Sequence, residues 1–464
     1  MRNCIITIGL CVLLFCSCSD WLDVKPKTTV EEEEVFSREL GFKEALTGIY
    51  IKMTSPGLYA RNLSYGFLDI LGQRYQFVNW YQNELYYTFP STKTESYTEV
   101  IWGEMYNVIA NVNNLLYYCD KNRQVFTTEH YYEIIKGEAL GLRAFLHFDL
   151  LRMYGPIYKE NPAARRIAYR TEFNNEPKEM QPSNVVVDSI IADLKRAEML
   201  LQDTDPLNFE FPVTDESEML SGKDAFLVYR HKRMNLYAVK ALLARVYLYA
   251  GNKVEAARYA GQVVESGYFE LIGDASDVLR SKEILFSVHV DKFDQQVKEI
   301  TEGVDYSIMF ESFFNELFDV ANDGTNDVRV REGVAFDRSN GKIAMRKYRQ
   351  ENLWESTRGA VVLIRLSEMY YILAECAERA EDASVFLNKV REMRGIEPVV
   401  CDENNRLSEI EKEYRKEFYG EGQLFFFYKR HGYPTFLHCP LNNMVEANYM
   451  FSWPDNESLF GKTN

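Results

Sequence analysis

Residues 235–265 read NLYAVKALLARVYLYAGNKVEAARYAGQVVE, and this stretch decides the fold. Apolar residues recur at helical spacing over 235–250, Gly251 interrupts the pattern, and a second helical pattern follows over 253–265. A tetratricopeptide hairpin needs small residues where its helices cross and an aromatic ring between them. Those positions are occupied here by Ala244, Tyr247 and Ala256. The stretch therefore predicts a repeat-type helical hairpin.

A single hairpin of this kind cannot bury its own apolar face, so neighbouring helices must cover it. The sequence offers further helical patterns at 97–154, 361–394 and 407–422. Within the first of these, residues 130–154 are apolar almost all round and end at Gly155-Pro156, which predicts a buried helix stopped by proline. We expect a mostly α protein with about four tetratricopeptide-like helix pairs.

Two stretches break the helical pattern. Residues 56–96 are aromatic and polar without clear periodicity, and residues 268–355 contain short apolar runs between Gly, Asn and Asp turns. Long ordered loops in compact proteins usually carry function. We expect one domain over 36–464, with these two stretches forming an irregular, ligand-facing region that includes a few short strands.

The first residues indicate export and lipidation. An apolar run from Ile5 to Phe15 follows Met1-Arg2, which fits a signal peptide and is too short to cross a bilayer. Ser17-Cys18 then resembles a bacterial lipobox, so we predict a signal peptide over 1–17 and an acylated Cys18. Residues 18–35 read as an extended tether between the lipid and the folded body. The alternative is an ordinary cleaved signal with incidental cysteines.

Composition and motifs argue against several function classes. The net charge is −16 and no long basic block occurs, which is unfavourable for nucleic-acid binding. The sequence lacks G-x-S-x-G, the phosphate-binding loop, G-x-G-x-x-G and H-E-x-x-H. Cys119, Cys376, Cys401 and Cys439 lack metal-ligand spacing, and His147 lies in the buried helix, where a structural role is expected. We therefore predict no enzyme, metal or cofactor, although a glycosidase-type carboxylate pair stays open.

Several blocks, in order, resemble the SusD/RagB family of outer-membrane nutrient-binding lipoproteins. They are Cys18 to Pro26, Gly137-Glu138 through Tyr154-Gly155, Ala241 to Gly251, Ile364 to Tyr370, Phe386 to Arg391, Glu417-Phe418 with Glu421-Gly422, and Tyr449 to Glu457. The sequence departs from the family pattern at Ser452, Trp453, Phe427 and Pro156-Ile157-Tyr158. These are packing positions, so the departures concern local geometry.

The resemblance implies a fold, a location and partners. It implies one domain of four helix-pair repeats, anchored by lipid to the cell surface at the outer membrane. The repeats would pack against a SusC-like TonB-dependent transporter, and the loops would form the ligand face. Family ligands are mostly oligosaccharides and, in some members, peptides. The alternatives are an adaptor that binds only protein and an enzyme.

A sugar-binding face needs exposed aromatic planes beside amide or carboxylate groups. Trp80 and Asn83 lie in the aromatic stretch, in the connection where family members place ligand-stacking rings, and they are the first prediction. Trp354 is the second predicted ligand-binding residue. The third group consists of Tyr75, Tyr81 and Tyr306, whereas Trp21, Trp102 and Trp453 are expected to be structural. The alternative for Trp80 is that it covers the core of its own loop.

Overall fold

The structure is a computed structural model that describes most of the chain. It describes residues 32–78, 80–88, 91–206, 224–301, 308–354 and 357–460. The predicted signal peptide, Cys18 and most of the predicted tether lie outside these residues, as does Tyr306.

Helices dominate the described residues. Their bounds are α1 Glu39–Met53, α2 Phe67–Leu71, α3 Gln82–Leu85, α4 Thr92–Lys121, α5 Tyr131–Tyr154, α6 Ser183–Leu201, α7 Leu236–Tyr249, α8 Lys253–Val264, α9 Phe293–Thr301, α10 Glu311–Leu317, α11 Val320–Asp323, α12 Leu366–Cys376, α13 Ala380–Met393, α14 Arg406–Glu417, α15 Leu424–His431, α16 Glu446–Tyr449 and α17 Asp455–Phe460. None of these described helices combines the length and the apolar composition that a bilayer crossing requires.

The long helices stack as pairs. α1 packs against α4, α5 against α6, α7 against α8, and α12 against α13. Successive pairs meet through α4 and α5, through α6 and α7, and through α8 and α12, while α14 covers α12 and α13. Each pair thus buries the face that its neighbour leaves open. The predicted mostly helical, tetratricopeptide-like fold is confirmed.

The central hairpin forms where the sequence predicts it. The side chain of Asn235 accepts a hydrogen bond from the Ala238 N–H at the start of α7, and Asn252 caps α8 in the same way. Gly251 joins the helices with a φ of +80°, a conformation that favours glycine. The rings of Tyr247 and Tyr259 stack between the helices at a centroid distance of 5.8 Å.

Short strands complete the fold. They are β1 Arg165–Ile167, β2 Gln181–Pro182, β3 Ile284–His289, β4 Ile308–Met309, β5 Phe336–Ser339, β6 Lys342–Met345 and β7 Ala360–Arg365. β1 pairs with β2, β3 pairs with β7, and β6 lies between β4 and β5, all antiparallel. The predicted helical start at 361 is wrong, because residues 360–365 form a strand and the helix begins at Leu366. A continuous cluster of buried apolar side chains extends from Phe36 to Phe451.

Candidate functional site

The two irregular stretches contact each other and form one region, which we call the loop face. It comprises the described residues of 56–91, 289–310 and 346–359. Its base is a buried group of three rings, with Tyr65 lying 5.5 Å from Tyr348 and 6.0 Å from Phe293 between centroids. Backbone hydrogen bonds also join the segments, because Phe77 and Ile308 form a β-bridge. The stretches predicted to carry function are therefore adjacent in space.

Trp80 lies half-buried on the loop face. The guanidinium carbon of Arg61 lies 4.9 Å from the centroid of its ring, a distance typical of a cation–π contact. The neighbouring Tyr81 ring is 6.3 Å away and tilted by 49°. The indole is thus supported by Arg61 and Tyr81 and remains partly open to solvent. An aromatic ring held in this way can offer a flat apolar surface to a ligand.

Asn83 connects the same loop to the start of a long helix. Its Nδ2 donates a hydrogen bond of 2.9 Å to Ser91 Oγ, and Ser91 itself caps α4 by accepting from the Thr94 N–H. The next residue, Glu84, is buried, and Thr94 Oγ1 donates to its Oε1. These contacts fix the position of the half-buried Asn83 relative to α4. Its amide therefore lies on a rigid support three residues after Trp80.

Tyr75 and Tyr81 lie inside the core, and this corrects the prediction that their rings face a ligand. Each is only 1% exposed. The Tyr75 hydroxyl donates to the Tyr65 carbonyl oxygen at 3.0 Å, and the Tyr81 hydroxyl donates to Asn62 Oδ1 at 2.6 Å. Burial raises the pKa of both hydroxyls well above their usual range. These two tyrosines therefore anchor their loop to the core through buried rings and hydrogen-bonded hydroxyl groups.

Trp354 is 43% exposed and projects from an anchored turn. Its carbonyl oxygen accepts hydrogen bonds from the Thr357 and Arg358 N–H groups, which closes the turn. The preceding Leu353 is buried, and Gln350 N–H donates to Asp294 Oδ1 at 3.1 Å. The turn is therefore fixed to α9 while the indole contacts solvent. This is the arrangement expected of a second aromatic platform.

Sequence reasoning missed one aromatic pair on the loop face. Phe77 and Phe310 are 43% and 42% exposed and meet edge to face at 5.4 Å. Gln76 Oε1 accepts from the Phe310 N–H at 2.9 Å, so an amide lies beside the two rings. The aromatic composition of residues 56–96 included Phe77, but only the structure brings Phe310 next to it. The pair extends the loop face with apolar surface.

A separate groove of about 980 Å³ opens between α4, α5 and residues 171–174. Tyr117, which is 56% exposed, and Phe173, which is 49% exposed, line it. Arg143 forms part of its floor and donates to Asp193 Oδ2 at 2.6 Å. Tyr117 lies 25 residues after Thr92 in α4, roughly 37 Å along the helix axis. The groove is thus distant from the start of α4, which contacts the loop face.

Comparisons with known proteins agree with this architecture. The family model SusD-like_3, described as "Starch-binding associating with outer membrane", matches residues 20–211. The family model SusD_RagB, described as "SusD family", matches residues 320–455. No curated protein matches the chain.

Solved structures share the fold over nearly the whole chain. A SusD superfamily protein from Bacteroides thetaiotaomicron VPI-5482 is 19% identical, with a TM-score of 0.70 over 91% of this chain and 98% of that one. A SusD-like carbohydrate binding protein from Bacteroides vulgatus ATCC 8482 is 18% identical, with a TM-score of 0.69 over 91% and 96%. A laminarin binding SusD-like protein is 18% identical, with a TM-score of 0.64 over 92% and 98%.

Proposed function

The chain belongs to the SusD/RagB family, and from this premise we propose that it is a cell-surface lipoprotein that captures a glycan and delivers it to a SusC-like TonB-dependent transporter. It binds its ligand without transforming it. Acyl chains on Cys18 hold it at the outer membrane, and more than one chain is needed for stable attachment. The stacked helix pairs pack against the transporter and leave the loop face free.

The observation that carries the proposal is the composition of the loop face. Trp80, Trp354 and the Phe77–Phe310 pair provide partly or largely exposed rings, and Asn83 adds an amide on a rigid support. Sugar rings have apolar C–H faces surrounded by hydroxyl groups, so they match rings beside amides. In this proposal Trp80 and Asn83 form the primary contact, and Trp354 forms a second one.

Glycan capture is favoured over peptide capture for two reasons. An extended peptide is usually recognised through a row of free backbone groups or a deep groove, whereas the loop face presents flat rings. Two of the similar structures are described as a carbohydrate binding protein and a laminarin binding protein. Peptide capture for the same type of transporter remains the second candidate, because the family resemblance covers both ligand classes.

Affinity electrophoresis tests the ligand class. The purified protein, without residues 1–18, is run through native gels that contain laminarin, starch or another neutral polysaccharide, and its mobility is compared with a gel without glycan. The proposal predicts that at least one glycan retards the protein, with a Kd between about 1 mM and 1 μM. Binding to a peptide library with no retardation by any glycan would instead establish the second candidate.

A further inference from the structure

Arg280 is a buried cation that lacks an anionic partner. It is 5% exposed and sits just before β3 in a left-handed conformation with a φ of +56°. Its Nη1 donates to the carbonyl oxygens of Asp274 and Asp277 at 2.5 Å and 3.0 Å. Within the described residues, no carboxylate lies within ion-pair distance of its guanidinium. The nearby Asp277 carboxylate instead accepts from the N–H and hydroxyl of Ser281.

A small cavity lies against this arginine. It has a volume of about 40 Å³. Its charged lining consists of Arg280, Arg329, Lys347, Arg365 and Lys416, with the carboxylate of Glu417. Five cations and one anion thus surround a space large enough for one or two water-sized species.

The other cations around the cavity are neutralised by carboxylates that they contact directly. Arg329 pairs with Asp327, Glu413 and Glu417. Arg365 pairs with Glu417 and Glu421, Lys347 pairs with Glu421, and Lys416 pairs with Asp323 and Glu413. Arg280 is the cation of this group that has no carboxylate partner among the described residues. An unpaired buried charge is unfavourable unless a counterion or another partner neutralises it.

The surroundings of Arg280 disfavour the charged form of its guanidinium group. Burial lowers the pKa of Arg280 to about 10, and the positive charges of Arg394 and Arg365 act in the same direction. The carboxylates of Glu417 and Glu283 act against this effect but do not offset it. The carboxylates around the cavity therefore leave the charge of Arg280 without a direct partner, although the net charge of the protein is −16. A small anion in this space would supply the missing partner.

We propose that the cavity beside Arg280 binds one small monovalent anion of the halide type, with chloride as the expected occupant. Its size favours a monatomic ion over a sugar carboxylate or a sulfate group. The ion would link Arg280, in the segment before β3, to the charged residues of β7 and α14 that line the cavity, and so stabilise the contact between these three elements. This site is independent of the glycan proposed above.

Thermal unfolding in matched salts tests the proposal. The purified protein is melted in sodium chloride, sodium bromide and sodium gluconate at equal ionic strength, since gluconate is too large for the cavity. We expect a melting temperature about 1–3 °C higher in chloride and bromide than in gluconate. Arg280→Gln should remove this difference, whereas Lys282→Gln, a change at an exposed residue two positions away, should retain it. Equal melting temperatures of the wild-type protein in all three salts would overturn the proposal.

Crystals grown in sodium bromide provide a second measurement that does not depend on a folded variant. The proposal predicts an anomalous difference peak for bromide inside the cavity, within contact distance of the Arg280 guanidinium. A cavity that contains only water under these conditions would also overturn it.

Discussion

His147 shows how a single buried residue can be fixed in one protonation state. Its Nδ1 donates to the Arg143 carbonyl oxygen at 2.8 Å, and its Nε2 accepts from the Arg170 N–H at 2.9 Å. The ring also stacks on Tyr169 at 4.0 Å. An imidazole that accepts at one nitrogen must be neutral. The structural role expected for this histidine in a buried helix agrees with these contacts.

This geometry predicts a pH-dependent contribution to stability. Burial lowers the pKa of His147 from its usual value of 6.5 to about 3, so the unfolded chain takes up a proton below pH 6.5 and the folded chain does not. The contribution is present above pH 6.5 and is lost as pH falls from there toward 3. Between pH 7 and pH 5 the loss amounts to about 2 kcal/mol.

Urea unfolding at pH 7 and pH 5 measures this contribution. His147→Gln, which cannot be charged but can still donate and accept, should show a decrease in unfolding free energy about 2 kcal/mol smaller than that of the wild-type protein. The same decrease in both proteins would mean that His147 does not control this part of the pH dependence.

Cys18 carries the second prediction at this scale. If Cys18 is the lipidated residue, Cys18→Ser should abolish incorporation of a labelled fatty acid and release the protein from the membrane fraction. Cys16→Ser is the matched control and should keep both properties, because bulky Phe15 precedes that cysteine where a lipobox needs a small residue. Labelling of the Cys18→Ser protein would contradict the assignment.

The candidate site could be predicted from sequence only in part. The composition of residues 56–96 indicated an aromatic face, and Trp80, Asn83 and Trp354 do have partly exposed positions. The prediction failed for Tyr75 and Tyr81 because an irregular segment has no periodicity that separates inward from outward side chains. Their direction depends on distant partners such as Asn62 and Tyr65.

Helices could be predicted from the sequence where the apolar periodicity, the capping residues and the helix-breaking residues all indicate the same bounds. The α7–α8 hairpin and the end of α5 at Gly155-Pro156 follow directly from such signals. The strand at 360–365 was misread because a short buried apolar run has no period of its own and continues into the apolar pattern of α12. Its pairing with β3, about 75 residues earlier, is a long-range contact that no local pattern reveals.

Close packing of α5 against α6 predicts the effect of a single methyl group. A Cβ at Gly137 would lie 2.8 Å from Leu201 Cγ and 3.3 Å from Leu200 Cβ, so Gly137→Ala should lower the unfolding free energy by about 1–3 kcal/mol. Gly103→Ala in α4 is the matched control. A Cβ at Gly103 would have no neighbouring heavy atom within 4 Å, so this change should raise the unfolding free energy by about 0.5–1 kcal/mol.

Denaturant unfolding followed by circular dichroism distinguishes the two glycine variants. If Gly137→Ala were as stable as Gly103→Ala, the interface between α5 and α6 would accommodate a methyl group for which the structure leaves no space. That result would contradict the close packing of this helix pair.

Across the whole molecule, a buried ionic network joins α14 to the end of β7, to the residue after α13 and to the segment between α11 and β5. Glu417 at the end of α14 accepts from Arg329, Arg365 and Arg394, which come from three separate segments. Burial acts to raise the pKa of Glu417, yet the guanidinium groups of Arg394, Arg365 and Arg329 hold it well below its usual range. The network therefore depends on a permanent negative charge at this position.

Removal of that charge should be strongly destabilising. Glu417→Gln leaves three buried guanidinium groups short of one carboxylate and should lower the unfolding free energy by about 3–5 kcal/mol. Glu255→Gln, which breaks an exposed pair with Arg258 on α8, should change it by less than about 1 kcal/mol. Equal effects in a chemical denaturation experiment would show that the network has no special role.

The central claim is that a rigid stack of helix pairs presents a glycan-binding face on which Trp80 is the main platform. Isothermal titration of a glycan that retards the wild-type protein, repeated with Trp80→Ala and Tyr117→Ala, tests it most directly. We expect Trp80→Ala to weaken binding about tenfold or more, and Tyr117→Ala, in the groove at the far end of α4, to leave it unchanged. Unchanged binding by Trp80→Ala together with a loss in Tyr117→Ala would contradict the claim and place the glycan in the groove.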